Sequence, residues 1–311
     1  MKKTTKRGLS LLLLIAMLCS LLAACGQKEQ TQYEVPNYQG QLAEGQEKSD
    51  YNKNLFYRND KKTDGADPFV LDNTKNDGYY YQYVTQGSLF CYRSKDLMGW
   101  ERVGNALDNM DYASPGVMSE IRLATWKDIW APEVIYHNGK YIMHFTARRK
   151  SDHSLRIGVA VSDSPEGPFV DVHNGPMFDL GYAAIDGHVF IDDDGQPYFY
   201  FSKDCSENYV TPTLRASQMC VCKLSDDLLN ITSEPITLFG PSESYDFIIL
   251  EDQAWNEGPY VLKKDGHYYM TYSANCYHTR DYCICLAKAE KPMGPFQKSG
   301  PVMICGVKGE D

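Results

Sequence analysis

The sequence predicts an all-β protein built from a four-stranded unit repeated along the chain. Three observations carry this. Aromatic residues make up 13% of the chain, 23 of them Tyr, a composition that suits pleated, half-buried surfaces. After the N-terminus no long helical pattern appears. Short apolar runs bounded by Gly, Asn, Asp and Pro recur instead.

Taken in order, each unit opens on an acidic strand start: GADPFVLD, WAPEVIYH, AIDGHVFI and NEGPYVLK. Their acids are Asp67, Glu133, Asp186 and Glu257, spaced 66, 53 and 71 residues apart. A hairpin follows each, as NDGYYYQYV, HNGKYIMHFT, DDGQPYFYFS and KDGHYYMTYS. Third strands include LFCYRS, RIGVAVS, MCVCKLS and YCICLAK. Each unit closes on a turn: SKDLMGW, SDSPEGPF, SDDLLN and AEKPMGPF. Four consecutive units of four short strands describe the blades of a β-propeller. The third unit carries extra residues around Lys203–Ser217, expected to form a surface loop. No strand alternates with a long helix and no Gly-rich phosphate loop appears, which excludes a doubly wound α/β protein.

The N-terminus reads as a processing segment. Lys2, Lys3, Lys6 and Arg7 precede an apolar run from Leu9 to Leu22, which ends in LLAACGQ. Small residues before a Cys resemble a bacterial lipobox, with cleavage before Cys25 and lipid on its thiol. A plain secretory signal cut nearby is the alternative. The lipobox reading places the protein on the outer surface of a bacterial membrane. Residues 26–50 are polar, lack apolar periodicity and read as a tether, with the domain proper over 51–311. Removing residues 1–24 takes away four positive charges and no acids, moving the formal charge from −10 to −14. Such a surface repels phosphate backbones, so nucleic acid is excluded as a partner and a neutral saccharide is favoured.

Eight of the ten Cys remain once Cys19 and Cys25 are set aside. Cys220 and Cys222, like Cys283 and Cys285, are two apart and share one strand face. They read as small buried hydrophobes. The spacing matches no zinc ribbon or finger, although a four-thiolate site would use the same residues. Export permits disulfides without fixing their pairing.

In a propeller the first strand of each blade lines the central axis, so the strand starts converge on one mouth. Carboxylates crowded there cost electrostatic energy unless they share protons or bind a cation. Acetal hydrolysis uses such an arrangement: one protonated acid for the leaving oxygen, one carboxylate for water or carbon, and a third that raises the acid's pKa.

The motifs ADPFV with Asp67, WAPEV over Trp130–Val134, IDGHVF with Asp186 and NEGPYV with Glu257 are similar to those of glycoside hydrolase family 43. YSANCYHTRDYCICLA fits the same pattern, and the resemblance runs from about Leu55 to Met303. It implies a five-bladed β-propeller fold with about four blades in this chain. It also implies an inverting glycosidase acting on α-L-arabinofuranosyl or β-D-xylosyl linkages of plant cell-wall saccharides. By motif, Asp67 would be the general base, Glu257 the general acid, and Asp186 the residue that tunes and orients the acid. Inversion implies that base and acid stand about 6.5–9.5 Å apart.

Each residue also has a structural reading. Asp67 would cap a turn before Pro68, Asp186 would be a turn residue, and Glu257 a loop acid before Gly258-Pro259. Glu133 has no place in the family triad and is expected to support structure. Trp130 would stack on a sugar or fill a blade core. Arg280 would reach a sugar hydroxyl or the carboxylates, or face solvent. No cofactor is required, and calcium is left open although its usual His is not present. The family's last blade supplies a His, often beside calcium, and nothing after GPVMICGVKGED matches it; His188 and His267 belong to other motifs. The last blade is therefore expected to be missing from the sequence. Two further readings compete: a non-catalytic sugar-binding propeller, or inactive fragment, and a transporter's solute-binding lipoprotein. The latter requires two α/β lobes, which the sequence does not show.

Overall fold

The computed structural model describes residues 63, 65–86, 89–107 and 126–304. Cys25 and the proposed signal and tether lie outside the described residues. Within them there is no helix, and the strands form four antiparallel four-stranded blades. The first blade is β1 (Ala66–Asp72), β2 (Tyr80–Thr85), β3 (Phe90–Ser94) and β4 (Glu101–Asn105). The second is β5 (Trp126–His137), β6 (Lys140–Arg149), β7 (Leu155–Ser162) and β8 (Val170–Asp171). The third takes β9 (Ala184–Ile191) and β10 (Pro197–Lys203), then β13 (Gln218–Lys223) and β14 (Ile236–Phe239). The fourth is β16 (Asn256–Lys264), β17 (His267–Ala274), β18 (Cys283–Ala289) and β19 (Gln297–Ile304).

Residues 204–217, expected as a surface loop, have regular structure of their own. They make a hairpin, β11 (Tyr209–Thr211) and β12 (Leu214–Ala216), whose second strand pairs in parallel with β15 (Gln253–Ala254).

The core lies between blades, and strand periodicity explains it. Successive side chains on a strand point to opposite faces. On β10, Phe199 and Phe201 pack with Ile142, Ile157 and Val159 of the second blade. Tyr198 and Tyr200, the residues between and beside them, pack with Val261, Met270 and Tyr272 of the fourth. A third cluster joins Tyr81, Tyr83 and Cys91 to Val134, Met143 and Phe145, between the first and second blades. Each fully buried aromatic contributes about 1.5–3 kcal/mol relative to exposure, so these interfaces hold the blades in place.

The same alternation decides the Cys question. Cys220 and Cys222 face the second blade. Cys283 and Cys285 face the third. The pairs lie in different interfaces, on opposite sides of the third blade, so they cannot share one metal. All seven described Cys are buried, and burial pushes the thiols of Cys220 and Cys222 up to about 11 and about 12.

Hydroxyls latch each blade to the next. Thr85, at the end of β2, accepts from the Ala131 N–H at 2.8 Å. Thr146 on β6 accepts from the Asp186 N–H at 3.0 Å. Ser202 on β10 donates to the Asn256 carbonyl at 2.7 Å. All three sit at equivalent register positions, opposite Ala66, Trp130 and Ile185 on their own inner strands. Ser273 occupies the same position opposite Glu257.

Candidate active site

Besides a register shift in β5 between Lys127 and Ile129, the pairing of each inner strand breaks once at the carboxylate end. The breaks fall between Ala66 and Phe69, Trp130 and Glu133, Ile185 and His188, and Glu257 and Tyr260. At each break one residue is left-handed: Asp67 (φ 47°), Ala131 (48°), Asp186 (56°) and Gly258 (60°). A side chain there costs about 1–2 kcal/mol in an L-residue, least for Asp and none for Gly. A bulge re-aims the side chains around it, and this one is repeated four times.

The bulge corrects the expected equivalence of the four acids. Asp67 and Asp186 do occupy matching positions, but their counterpart in the second blade is Ala131. Glu133 stands two residues further on, level with His188 and Tyr260. Glu257 stands one residue before its bulge, level with Trp130. Glu133 is a structural residue. Its carboxylate takes the His188 Nδ1 at 2.8 Å and the Val189 N–H at 2.8 Å, binding β5 to β9. His188 Nε2 lies 3.3 Å from the Val261 carbonyl, which carries the link to β16.

The three remaining carboxylates are held differently. Asp67 is exposed, and Thr85 Oγ1 donates to its Oδ2 at 2.7 Å. The same Thr85 oxygen accepts from Ala131, so one hydroxyl fixes both the carboxylate and the neighbouring blade. Asp186 is half-buried, its backbone tied to Thr146, its Oδ2 accepting from the Gly258 N–H at 3.0 Å. That contact joins the third and fourth blades next to Glu257, which is also half-buried.

Burial and mutual repulsion push both inner carboxyls up. For Glu257 the chief cause is desolvation, followed by the charges of Asp186, Asp204 and Asp67, and it rises well above the usual carboxylate range. Asp186 is raised to about 7 by burial and then by Asp67, against the Gly258 hydrogen bond. The two act on one another, so they titrate as a pair. With one proton between them, Glu257 keeps it, because Asp186 has the N–H that favours its anion. The expected part of Asp186 in holding Glu257 protonated is thus second to burial.

Trp130 is half-buried and packs on Leu155, Ala183 and Ile185, beside the backbone of Asp186. Arg280 is exposed in the turn between β17 and β18. The sequence assigned no role to any Tyr, yet Tyr282 belongs at this site. Its half-buried phenol is hydrogen-bonded by Ser273 and lies within the fields of Glu257, Asp186 and Asp67; burial and those charges push it up to about 12. Asp204 is a second unforeseen member, buried and acting on both inner carboxyls. Only its place after the third hairpin could have signalled it. Among the described residues no group of three or more His, Cys, Asp and Glu could hold a metal ion.

The arrangement offers a protonated carboxyl, an accessible carboxylate and a partner that tunes the first. A sequence profile described as Glycosyl hydrolases family 43 matches residues 61–306. A xylosidase/arabinosidase of Bacteroides ovatus is 30% identical over 258 residues, 71% of this chain and 76% of the relative. Xylosidase/arabinosidase 43A of Humicola insolens is 31% identical over 227 residues, 64% of this chain and 67% of the relative. The crystal structure of a thermostable family-43 glycoside hydrolase superposes with a TM-score of 0.67 at 41% identity, covering 76% of this chain and 73% of that one.

Proposed function

The chain belongs to glycosyl hydrolase family 43, and from that premise we propose that it is an inverting glycosidase of α-L-arabinofuranosyl or β-D-xylosyl linkages. The substrate class rests on the likeness to the two xylosidase/arabinosidases. The observation that carries the mechanism is the unequal treatment of three carboxylates at one mouth. Glu257 is pushed well above the usual range and keeps a proton. Asp67 is exposed and oriented by Thr85.

In the proposed reaction Asp67 takes a proton from water as the water oxygen attacks the anomeric carbon. The bond to the leaving oxygen breaks as Glu257 gives that oxygen its proton. One displacement inverts the centre. Asp186 positions Glu257 and keeps its proton in place. Trp130 offers a face to sugar C–H groups, and Arg280 contacts a hydroxyl or the carboxylates.

The test is hydrolysis of p-nitrophenyl α-L-arabinofuranoside and β-D-xyloside by the chain from Cys25 onward, beside Glu257→Ala and Asp67→Asn. Circular dichroism checks that each variant is folded. Activity lost by about 10²–10⁴-fold in each variant is the expected outcome for an acid and a base. A folded native chain inactive on both glycosides would favour the sugar-binding reading.

We also propose that the chain is exported and anchored by lipid on Cys25, facing outward. The basic and apolar N-terminal segments and the L-A-A-C sequence support this. Cys25→Ala in the full chain should move the protein from the membrane to the soluble fraction. Unchanged membrane association would refute the anchor.

A further inference from the structure

We propose that the wall beside Glu257, made by residues 204–217, 240–255 and 275–282, binds the glycan chain that extends from the cleaved linkage. The substrate would then be a neutral oligosaccharide or polysaccharide. This rests on the glycosidase reading above and names a further part of its substrate site.

Topology puts the wall at the right end. Ala66 pairs with Thr85 and Glu257 with Ser273, so second strands end where inner strands begin. Connections from second to third strands therefore lie at the carboxylate mouth. In the first two blades they are short, spanning 86–89 and 150–154. In the third the connection spans 204–217 and builds the β11–β12 hairpin. Its first residue is Asp204, which acts on Glu257. The 275–282 turn ends on Tyr282, which feels all three carboxylates.

The three segments are tied into one surface. Arg215 and Ala216 pair with Gln253 and Ala254, and Arg215 grips Asp252 with two hydrogen bonds of 2.7 and 2.9 Å. Asn275 accepts from the Ile248 N–H at 3.1 Å and donates to the carbonyls of Tyr245 and Asp281 at 2.9 and 2.8 Å. A surface ordered in advance loses less entropy when a ligand binds.

What it presents outward is aromatic. Tyr209 is 64% exposed and Tyr277 is 69% exposed, with Phe247, Ile249 and Leu250 also exposed. The Arg215 guanidinium lies 5.9 Å from the Tyr209 ring centre. Rings of this kind present an apolar face and a polar tip, which matches the C–H face and hydroxyl rim of a sugar. The net charge of −10 disfavours an acidic glycan. Continuity with the carboxylates favours a saccharide over a protein partner.

The experiment compares the native chain with Tyr209→Ala, Tyr277→Ala and the double variant. Rates are measured on the two p-nitrophenyl glycosides and on xylo- and arabino-oligosaccharides of two to six units. We expect kcat/KM of the native chain to rise with chain length. The double variant should lose about tenfold on the longer oligosaccharides and less than twofold on the chromogenic glycosides. Retardation in gels containing arabinoxylan or arabinan, run with Glu257→Gln as background, should be lost in the double variant. Equal losses on all substrates, or unchanged rates and unchanged retardation, would overturn the proposal. The gel arm separates the two readings, since a chain inactive on every glycoside but retarded through Tyr209 and Tyr277 refutes catalysis and keeps the glycan surface.

Discussion

Asp186→Asn tests the proton relationship at the centre of the site. The substitution keeps the shape and leaves an oxygen to accept from the Gly258 N–H at 3.0 Å, but removes the charge. That charge is the second cause of the elevated Glu257, after burial. A like charge in the first contact shell moves a carboxyl by about 1–3 units, or about 1.4–4 kcal/mol between its two states. Burial is untouched, so Glu257 remains elevated, but less so. An acid works only while protonated, and activity falls as pH rises through its pKa. The basic limb of the kcat/KM profile should therefore move to lower pH by about 1–2 units. The measurement is a pH series on p-nitrophenyl β-D-xyloside, with circular dichroism at each pH. A basic limb that stays in place, or moves to higher pH, would refute the argument that Asp186 holds the proton on Glu257.

Three further outcomes follow from the geometry. Asp186 and Glu257 have raised pKa values in the fold, so the folded state binds more protons than the unfolded chain above pH 4. Stability is then fully present below the unfolded pKa values and is lost as pH rises toward and past 7; Tm should fall across pH 5–8, and Asp186→Asn should flatten that fall. Thr85→Val removes the hydroxyl shared by Asp67 and the Ala131 N–H; we expect a loss of about 1–3 kcal/mol by urea unfolding and a reduced kcat. Gly258→Ala and Gly187→Ala should differ. A methyl at Gly258 meets only ordinary contacts, Ser273 Oγ at 3.7 Å and Asp186 Oδ2 at 4.0 Å, so its cost is the left-handed backbone, about 1–2 kcal/mol. A methyl at Gly187 would stand 2.3 Å from the buried Phe199 ring and should disrupt the interface between the second and third blades, read as a much larger drop in Tm.

Much of this architecture was legible because its signals are local. Alternation along strands such as PYFYFS and turns such as DDGQP are written in consecutive residues, and they mark β9, β10 and their counterparts. Asp67, Asp186 and Glu257 could be singled out as candidates because each sits in a short motif at a strand start. What stayed hidden depends on register. A bulge adds one residue without changing composition, so Glu133 looked like the counterpart of Asp186, although Ala131 holds that place. The hydroxyl latches of Thr85, Thr146 and Ser202 join residues 40 or more apart, and nothing in sequence distinguishes them from other strand hydroxyls. The 204–217 segment read as a loop because β11 and β12 are three residues each and gain their partner from β15, far along the chain. Tyr282 was one Tyr among 23, and only the fold brings it to Glu257.

The most direct test of the account is the configuration of the first sugar released. Proton NMR during hydrolysis of p-nitrophenyl β-D-xyloside resolves the two anomers before they equilibrate. A single displacement, with Asp67 as base and Glu257 as acid, predicts that α-xylose appears first. If β-xylose appeared first, the enzyme would retain configuration, and the roles given to Asp67 and Glu257 would be contradicted.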